Sequence, residues 1–223
     1  MRKILFLFLA AVLFFGLPFS LLAQKSDIET IFQKGKTHYS AYVSSSLMFS
    51  PLTERVHLNS ALSLGLIINR NSFFGVYRTN TNSLIYGKVL DNQLKDPLIH
   101  QFYHSGIEFE YVVNPLHLIN FGAGVKMGTG RLVLNPDPDY DRYYNVEDRF
   151  LSMIPSLHAS INLFEWMKLR FNASYRMIYG INTSIRPWGS ANSINYDSKD
   201  FCRPEFSISL VVGGLNDKSF SKN

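Results

Sequence analysis

Past its first two dozen residues the chain alternates apolar with small polar positions, stretch after stretch, and no long helical period interrupts the rhythm. A period of two marks a strand whose faces meet different surroundings. From Thr37 to Phe49 one face carries Tyr39, Ala41, Val43, Leu47 and Phe49, and the other Ser40, Tyr42, Ser44 and Ser46. From Val56 to Asn69, Leu58, Leu62, Leu64, Leu66 and Ile68 oppose His57, Asn59, Ala61, Ser63 and Gly65. A weaker strand runs from Phe73 to Thr79. The second half alternates more clearly. Ile107, Phe109, Tyr111 and Val113 oppose His104, Gly106, Glu108 and Glu110; Phe121, Ala123, Val125 and Met127 oppose Asn120, Gly122, Gly124 and Lys126. Leu157, Ala159 and Ile161 oppose Ser156, His158, Ser160 and Asn162. Leu169, Phe171, Ala173 and Tyr175 oppose Arg170, Asn172, Ser174 and Arg176, and Phe206, Ile208, Leu210 and Val212 oppose Glu205, Ser207, Ser209 and Gly213.

These are eight strands, an even number, as a closed up-and-down barrel requires. Their connections alternate in length. Arg70 and Asn71, Asn114 to Leu116, and Phe164 to Trp166 are short. Between them lie Ser50 to Arg55 and three long segments, Asn80 to His100, Leu132 to Asp148 and Gly180 to Cys202. Short turns at one end and long loops at the other are the layout of barrels that cross a bacterial outer membrane.

Composition decides which face meets lipid. Charged residues make up 17% of the chain and aromatic residues 14%, whereas a soluble domain carries about 25% charged residues. A soluble, lipocalin-like ligand binder is the alternative, but it turns its apolar face inward and its charges outward. Here the polar face is crowded with Gly and Ser, which suits a cramped interior, and the bulky face is almost free of charge. Tyr39, Tyr111, Trp166 and Tyr179 fall near strand ends, where aromatic girdles belong. The fold predicted is all-β: an eight-stranded antiparallel up-and-down transmembrane β-barrel preceded by a cleaved signal peptide.

The N-terminus supplies that leader. Arg2 and Lys3 precede an apolar run from Ile4 to Leu22, and Ala23 stands just before Gln24, the layout of a secretory signal peptide cleaved after Ala23. A transmembrane anchor competes, but Gly16 and Pro18 interrupt the run where an anchor should be continuous. No lipobox cysteine follows. Residues 24–36 read as a periplasmic lead-in, 37–215 as the barrel and 216–223 as a C-terminal tail. Cleavage lowers the net charge from +5 to +3, because two cations and no acid are removed. The remaining basic residues are scattered, which excludes a nucleic-acid footprint. Cys202 is the only cysteine, so no disulfide forms within the chain.

Some of these segments resemble a known family. "GIEFEYVVNP" from Gly106 to Pro115, "FGAGVKMGTG" from Phe121 to Gly130 and "SYRMIYG" from Ser174 to Gly180 are similar to a family of small outer-membrane β-barrels of Bacteroidota-type bacteria. More broadly they resemble OmpA- and OmpX-like barrels. The likeness covers roughly Leu58 to Leu215. It implies the barrel fold, the bacterial outer membrane and no defined reaction. Family members often carry Glu-Pro where this chain has Ile154-Pro155, and outer-membrane barrels commonly end in an aromatic residue, whereas here Ser221, Lys222 and Asn223 follow Phe220. The second departure bears on how the assembly machinery recognises the last strand.

Candidate chemistry concentrates on the inward face. Glu108, Glu110, Lys126, Arg170, Arg176 and Glu205 form a prospective lumen charge network. Counting through the short turn places Lys126 across from His104 or Gly106 and diagonal to Glu108, while Arg176 and Glu205 meet near the loop-end rim. A structural plug is favoured over a narrow solute channel, because eight strands leave an interior that side chains largely fill. His57, His104 and His158 also point inward, with Ser105 and Ser160 nearby in sequence. A membrane-lipid-modifying enzyme such as a lipid A hydrolase is the weaker alternative, since Ser105 faces away from His104 and no nucleophile elbow surrounds Ser160. Asp137, Asp139 and Asp141 have a calcium-like spacing, yet Pro138 stiffens the run and no closing Glu follows, so a solvated loop is preferred. Tyr140, Tyr143, Tyr144 and Trp188 offer a loop surface for binding a partner or glycan, or anchors at the membrane interface. No cofactor is implied and no catalytic residue is assigned. The expected role is structural or loop-mediated binding in the envelope, with outer-membrane lipids, lipopolysaccharide and the assembly machinery as partners.

Overall fold

The alternating runs become one continuous hydrogen-bonded wall. In a computed structural model, which describes residues 37–52, 55–81, 85–86, 98–135, 146–186 and 191–214, the elements in chain order are β1 (Tyr39–Leu52), β2 (Arg55–Ile68), β3 (Ser72–Thr81), the two-residue β4 (Ile85–Tyr86), β5 (Leu98–Val113), β6 (Ile119–Asn135), β7 (Val146–Phe164), β8 (Met167–Tyr179), β9 (Asn182–Ile185), β10 (Ile194–Asp197), a 3-10 turn (Ser198–Phe201) and β11 (Arg203–Gly213). β1, β2, β3, β5, β6, β7, β8 and β11 each pair antiparallel with their neighbours, and β1 pairs with β11. The result is a closed eight-stranded antiparallel β-barrel. Closure leaves no open edge, so every wall strand finds its backbone partners within the sheet.

The signal peptide, the lead-in, Asp137, Asp139, Asp141, Tyr140, Tyr143, Tyr144, Trp188 and the tail 216–223 lie outside the described residues. Among the described residues no helix is long and apolar enough to cross a membrane, and no group of His, Cys, Asp and Glu is placed to hold a metal ion.

Turn chemistry sets the registers at one end. Asn69 and Arg70 both take positive φ, 52° and 65°, and Asn71 N–H donates to the Ile68 carbonyl. These two left-handed residues and Asn71 form a three-residue connection that leaves Ile68 paired with Ser72. The β5–β6 turn differs from the expectation. It spans 114–118, opening on Asn114 with φ 51° and a His117 N–H to Asn114 carbonyl bond. The innermost paired positions are Val113 and Phe121, and in that register Lys126 faces Glu108 directly and not diagonally. The β3 stretch, the weakest of the eight in the sequence, is paired fully on both sides, from Ser72 to Thr81 with β2 and from Ser72 to Asn80 with β5.

Two apolar clusters close the interior. Tyr42, Ile67, Phe73, Val112 and Val211 pack near the short-turn end. A larger cluster fills the loop end, where Ile99, Phe102, Leu132, Leu134, Phe150 and Ile178 of the wall meet residues of the β8–β11 connection. That connection, read in the sequence as a loop from Gly180 to Cys202, holds the β9–β10 hairpin and the 3-10 turn. It delivers Ile181, Ile185, Ile194, Tyr196 and Phe201 into the mouth. Asp148 at the start of β7 pins it, accepting hydrogen bonds from Asn182 N (2.9 Å) and Thr183 Oγ1 (2.5 Å).

Candidate functional site: the filled lumen

Inward residues of adjacent strands fall on shared rungs, and the charged ones meet there. Glu108, 2% exposed, is the centre of the middle layer. Its Oε1 accepts from Tyr42 Oη at 2.6 Å; its Oε2 accepts from Ser63 Oγ at 3.0 Å and pairs with Lys126 Nζ at 3.1 Å. Strands β1, β2, β5 and β6 thus converge on one carboxylate. Tyr42 reaches it because Gly75 stands opposite Glu108; a Cβ at Gly75 would lie 2.4 Å from the Tyr42 hydroxyl. Lys126 Nζ also lies 5.3 Å from the Tyr77 ring centroid, a cation–π contact. Tyr77 in turn meets Ser152 Oγ at 3.3 Å and His104 Nδ1 at 3.2 Å.

Glu110 forms an ion pair with Arg170 across the lumen, and the Arg170 guanidinium sits 5.3 Å from the Phe73 ring centroid. Below it, Lys168 is 2% exposed and donates to the Pro115 carbonyl at 3.4 Å. The alternating pattern starts β8 at Leu169 and so leaves out Lys168; its parity with Arg170 is the signal that finds it. Next to these cations His158 is buried against Gly122, whose missing Cβ would otherwise meet His158 Nε2 at 2.3 Å.

At the loop end Arg176 and Glu205, each 1% exposed, pair at 2.7 Å. The same guanidinium donates from Nε to the Phe201 carbonyl (2.9 Å) and from Nη2 to the Pro51 carbonyl (3.2 Å), and it packs 4.9 Å from the Phe102 ring centroid. Phe102 stacks between Phe150 and Phe201 at 5.1 and 5.5 Å. The six charged residues singled out by parity are therefore three ion pairs: Lys126 with Glu108, Arg170 with Glu110 and Arg176 with Glu205. Within the lumen a cavity of about 30 Å³ is bounded, among others, by Ser46, Glu110, Lys126 and Ser174. That is room for one or two water molecules.

Two serine–histidine combinations expected on the wall are placed as follows. Ser105 is exposed on the outer face while His104 is buried inside. Ser160 and His158 share the inner face, but among the described residues neither Ser160 Oγ nor either His158 ring nitrogen has a hydrogen-bond partner. A nucleophile needs its base within hydrogen-bond reach and a third group to orient that base.

No family model matches the chain, and no curated protein matches it in sequence. Solved structures do resemble it in fold. The N-terminal β-barrel domain of Pseudomonas aeruginosa OprF aligns over 80% of this chain and 99% of that domain, at 4% identity and a TM-score of 0.51. Neisserial surface protein A (NspA) aligns over 79% of this chain and 98% of its own, at 12% identity and a TM-score of 0.50. At such identities the likeness is one of fold.

Proposed function

We propose that this protein is a non-enzymatic outer-membrane barrel whose sealed lumen makes it a structural element of the cell envelope, with its long loops available for binding. One observation carries the reading: the wall is inverted relative to a soluble protein. Every wall strand turns large apolar side chains outward, among them Leu47, Leu64, Phe74, Phe109, Phe121, Leu157, Phe171 and Leu210, from 41 to 68% exposed. The buried ion pairs face inward. A continuous exposed apolar surface of this kind marks contact with lipid or another partner, and a ring of it around a closed barrel suits a bilayer. Aromatic side chains flank it, with Tyr39, Tyr111, Phe164 and Trp166 at the short-turn end and Tyr175 and Tyr179 towards the loops. The filled mouth and the small residual cavity favour a plug over a conducting channel.

The test is gel mobility with and without boiling on protein from outer-membrane fractions, followed by planar-bilayer recording. A faster unboiled band and no conductance steps are expected. A single band from the soluble periplasm overturns the membrane reading, and stepwise conductance overturns the plug.

A further inference from the structure

The outward face of the described wall strands is apolar or neutral except at one place. Arg78, Arg131, Glu147 and Arg149 are its charged side chains, all on β3, β6 and β7 and all towards the loop end. Tyr103, Arg131 and Arg149 are register partners and form one rung across β5, β6 and β7. The next rung towards the short turns is Arg78, Ser105, Thr129, Leu151 and Tyr179. The rung after that is wholly apolar: Val76, Ile107, Met127, Met153 and Met177. The chemistry therefore passes from arginine, through aromatic and hydroxyl groups, to hydrocarbon within three rungs, on one side of the barrel only. On the opposite side, Phe206, Phe49 and Leu58 occupy adjacent outward positions of β11, β1 and β2.

A groove of about 640 Å³ follows this gradient, lined by Tyr103, Ser105, Arg131, Arg149, Leu151 and Tyr179 among others. Its size falls among ligand sites of about 300–1,000 Å³. The arginines are already oriented. Arg78 lies 5.5 Å from the Tyr103 ring centroid, and Arg131 is ion-paired with Glu147 while its side chain stays 37% exposed. Three guanidinium groups against one carboxylate leave this patch positive.

We infer that this groove holds the headgroup of a phosphorylated glycolipid from the leaflet on the loop side, a lipid of the lipid A type. The inference rests on the membrane reading above. Arg131 and Arg149 bind phosphate, for which the planar guanidinium fork is suited. Tyr103 and Tyr179 flank the sugar. The acyl chains run down over Ile107, Met127 and Met153, the part of the wall that hydrocarbon covers.

The experiment uses the full-length chain folded in detergent and transferred to phosphatidylcholine nanodiscs containing a minor fraction of diphosphorylated lipid A. Lipid retained after the discs are dissolved is counted by native mass spectrometry. Wild type should retain lipid A in preference to the same lipid stripped of its phosphates. Arg131→Gln/Arg149→Gln should weaken retention by about tenfold or more, and Arg149→Gln alone by less. Arg70→Gln, in a turn at the opposite end, should leave it unchanged. Heat-modifiable mobility checks that each variant is folded. Equal retention of the dephosphorylated lipid, or unchanged retention by the folded double variant, overturns the inference and leaves the membrane reading intact. Displacement by an equal amount of phosphatidylglycerol overturns the glycolipid assignment. A chain that neither enters the discs nor shifts on boiling overturns both readings at once.

Discussion

The middle of the lumen and its loop-end mouth are filled in opposite ways. In the middle, Glu108 takes three partners from three other strands, Tyr42, Ser63 and Lys126, so no single one carries its charge. At the mouth, Arg176 has one carboxylate, Glu205, and is otherwise held by carbonyls and rings. A shared charge tolerates the loss of one partner; a charge with one counterion in an apolar surround does not. The mouth is therefore where single substitutions should cost most.

The sharpest way to break the comparison is to remove the lone counterion. Glu205→Leu leaves a fully buried guanidinium uncompensated and should cost about 3–5 kcal/mol, read as urea unfolding in lipid vesicles. Arg176→Met/Glu205→Leu removes both charges and should recover a large part of that loss, because a paired replacement by apolar groups is often neutral. A double variant no better than the single one would show that the contacts to Phe201 and Pro51, and not the charge, hold the mouth together. Phe201→Ala comes next. It removes a ring stacked on Phe102 and in contact with Tyr196, at about 3 kcal/mol or somewhat more. It should also loosen the hairpin, visible as faster amide exchange in β9 and β10. Unchanged exchange there would mean that the bonds from Asp148 and Arg176, and not the Phe201 ring, hold the hairpin.

In the middle layer the same kind of deletion should cost less. Lys126→Met takes one partner from Glu108 but leaves the hydrogen bonds from Tyr42 and Ser63, and Lys126 is 21% exposed. A loss of about 1–2 kcal/mol is expected, after discounting for that exposure. A cost equal to that of Glu205→Leu would erase the distinction between the two regions.

The two regions also differed in how far the sequence revealed them. Strict parity along the wall strands put Glu108, Glu110, Lys126, Arg170, Arg176 and Glu205 on one face, because a period of two survives whatever the turn does. Pairing needs register, and register needs the turn. A β5–β6 turn at Asn114 to Leu116 sets Lys126 across from His104 or Gly106, whereas the innermost pair is Val113 with Phe121 and sets it opposite Glu108; the β2–β3 turn, expected at Arg70 and Asn71, is one residue longer, 69–71. The β8–β11 connection that fills the mouth is not legible at all. Ile181, Ile185, Ile194, Tyr196 and Phe201 share no period, and what orders them is a surface offered by strands far away in the chain. The outward arginines were equally hidden. Arg131 and Arg149 immediately flank the connection expected from Leu132 to Asp148, beyond the alternating runs on either side, and only the greater length of β6 and β7 puts them on the wall. Without the registers, nothing in the sequence joins them to Tyr103.

The smallest expected effect tests the shared character of the wall at its most ordinary. Ser46 Oγ on β1 donates to Ser209 Oγ on β11 at 2.8 Å, one of the side-chain bonds that join the first and last strands. Ser209 also accepts from Asn172 Nδ2 at 3.2 Å, so Ser46→Ala leaves that oxygen partnered. The loss should be the net worth of one neutral hydrogen bond, about 0.5–1.5 kcal/mol. Ser209→Ala removes both bonds, yet Asn172 keeps Ser207 Oγ at 3.1 Å, so it too should stay near the low end of that range. The double variant Ser46→Ala/Ser209→Ala should then cost less than the sum of the two, because the bond between them can be lost only once. Strict additivity in vesicle unfolding would instead mean that the two hydroxyls act separately, and that the β1–β11 seam is closed by its backbone ladder alone.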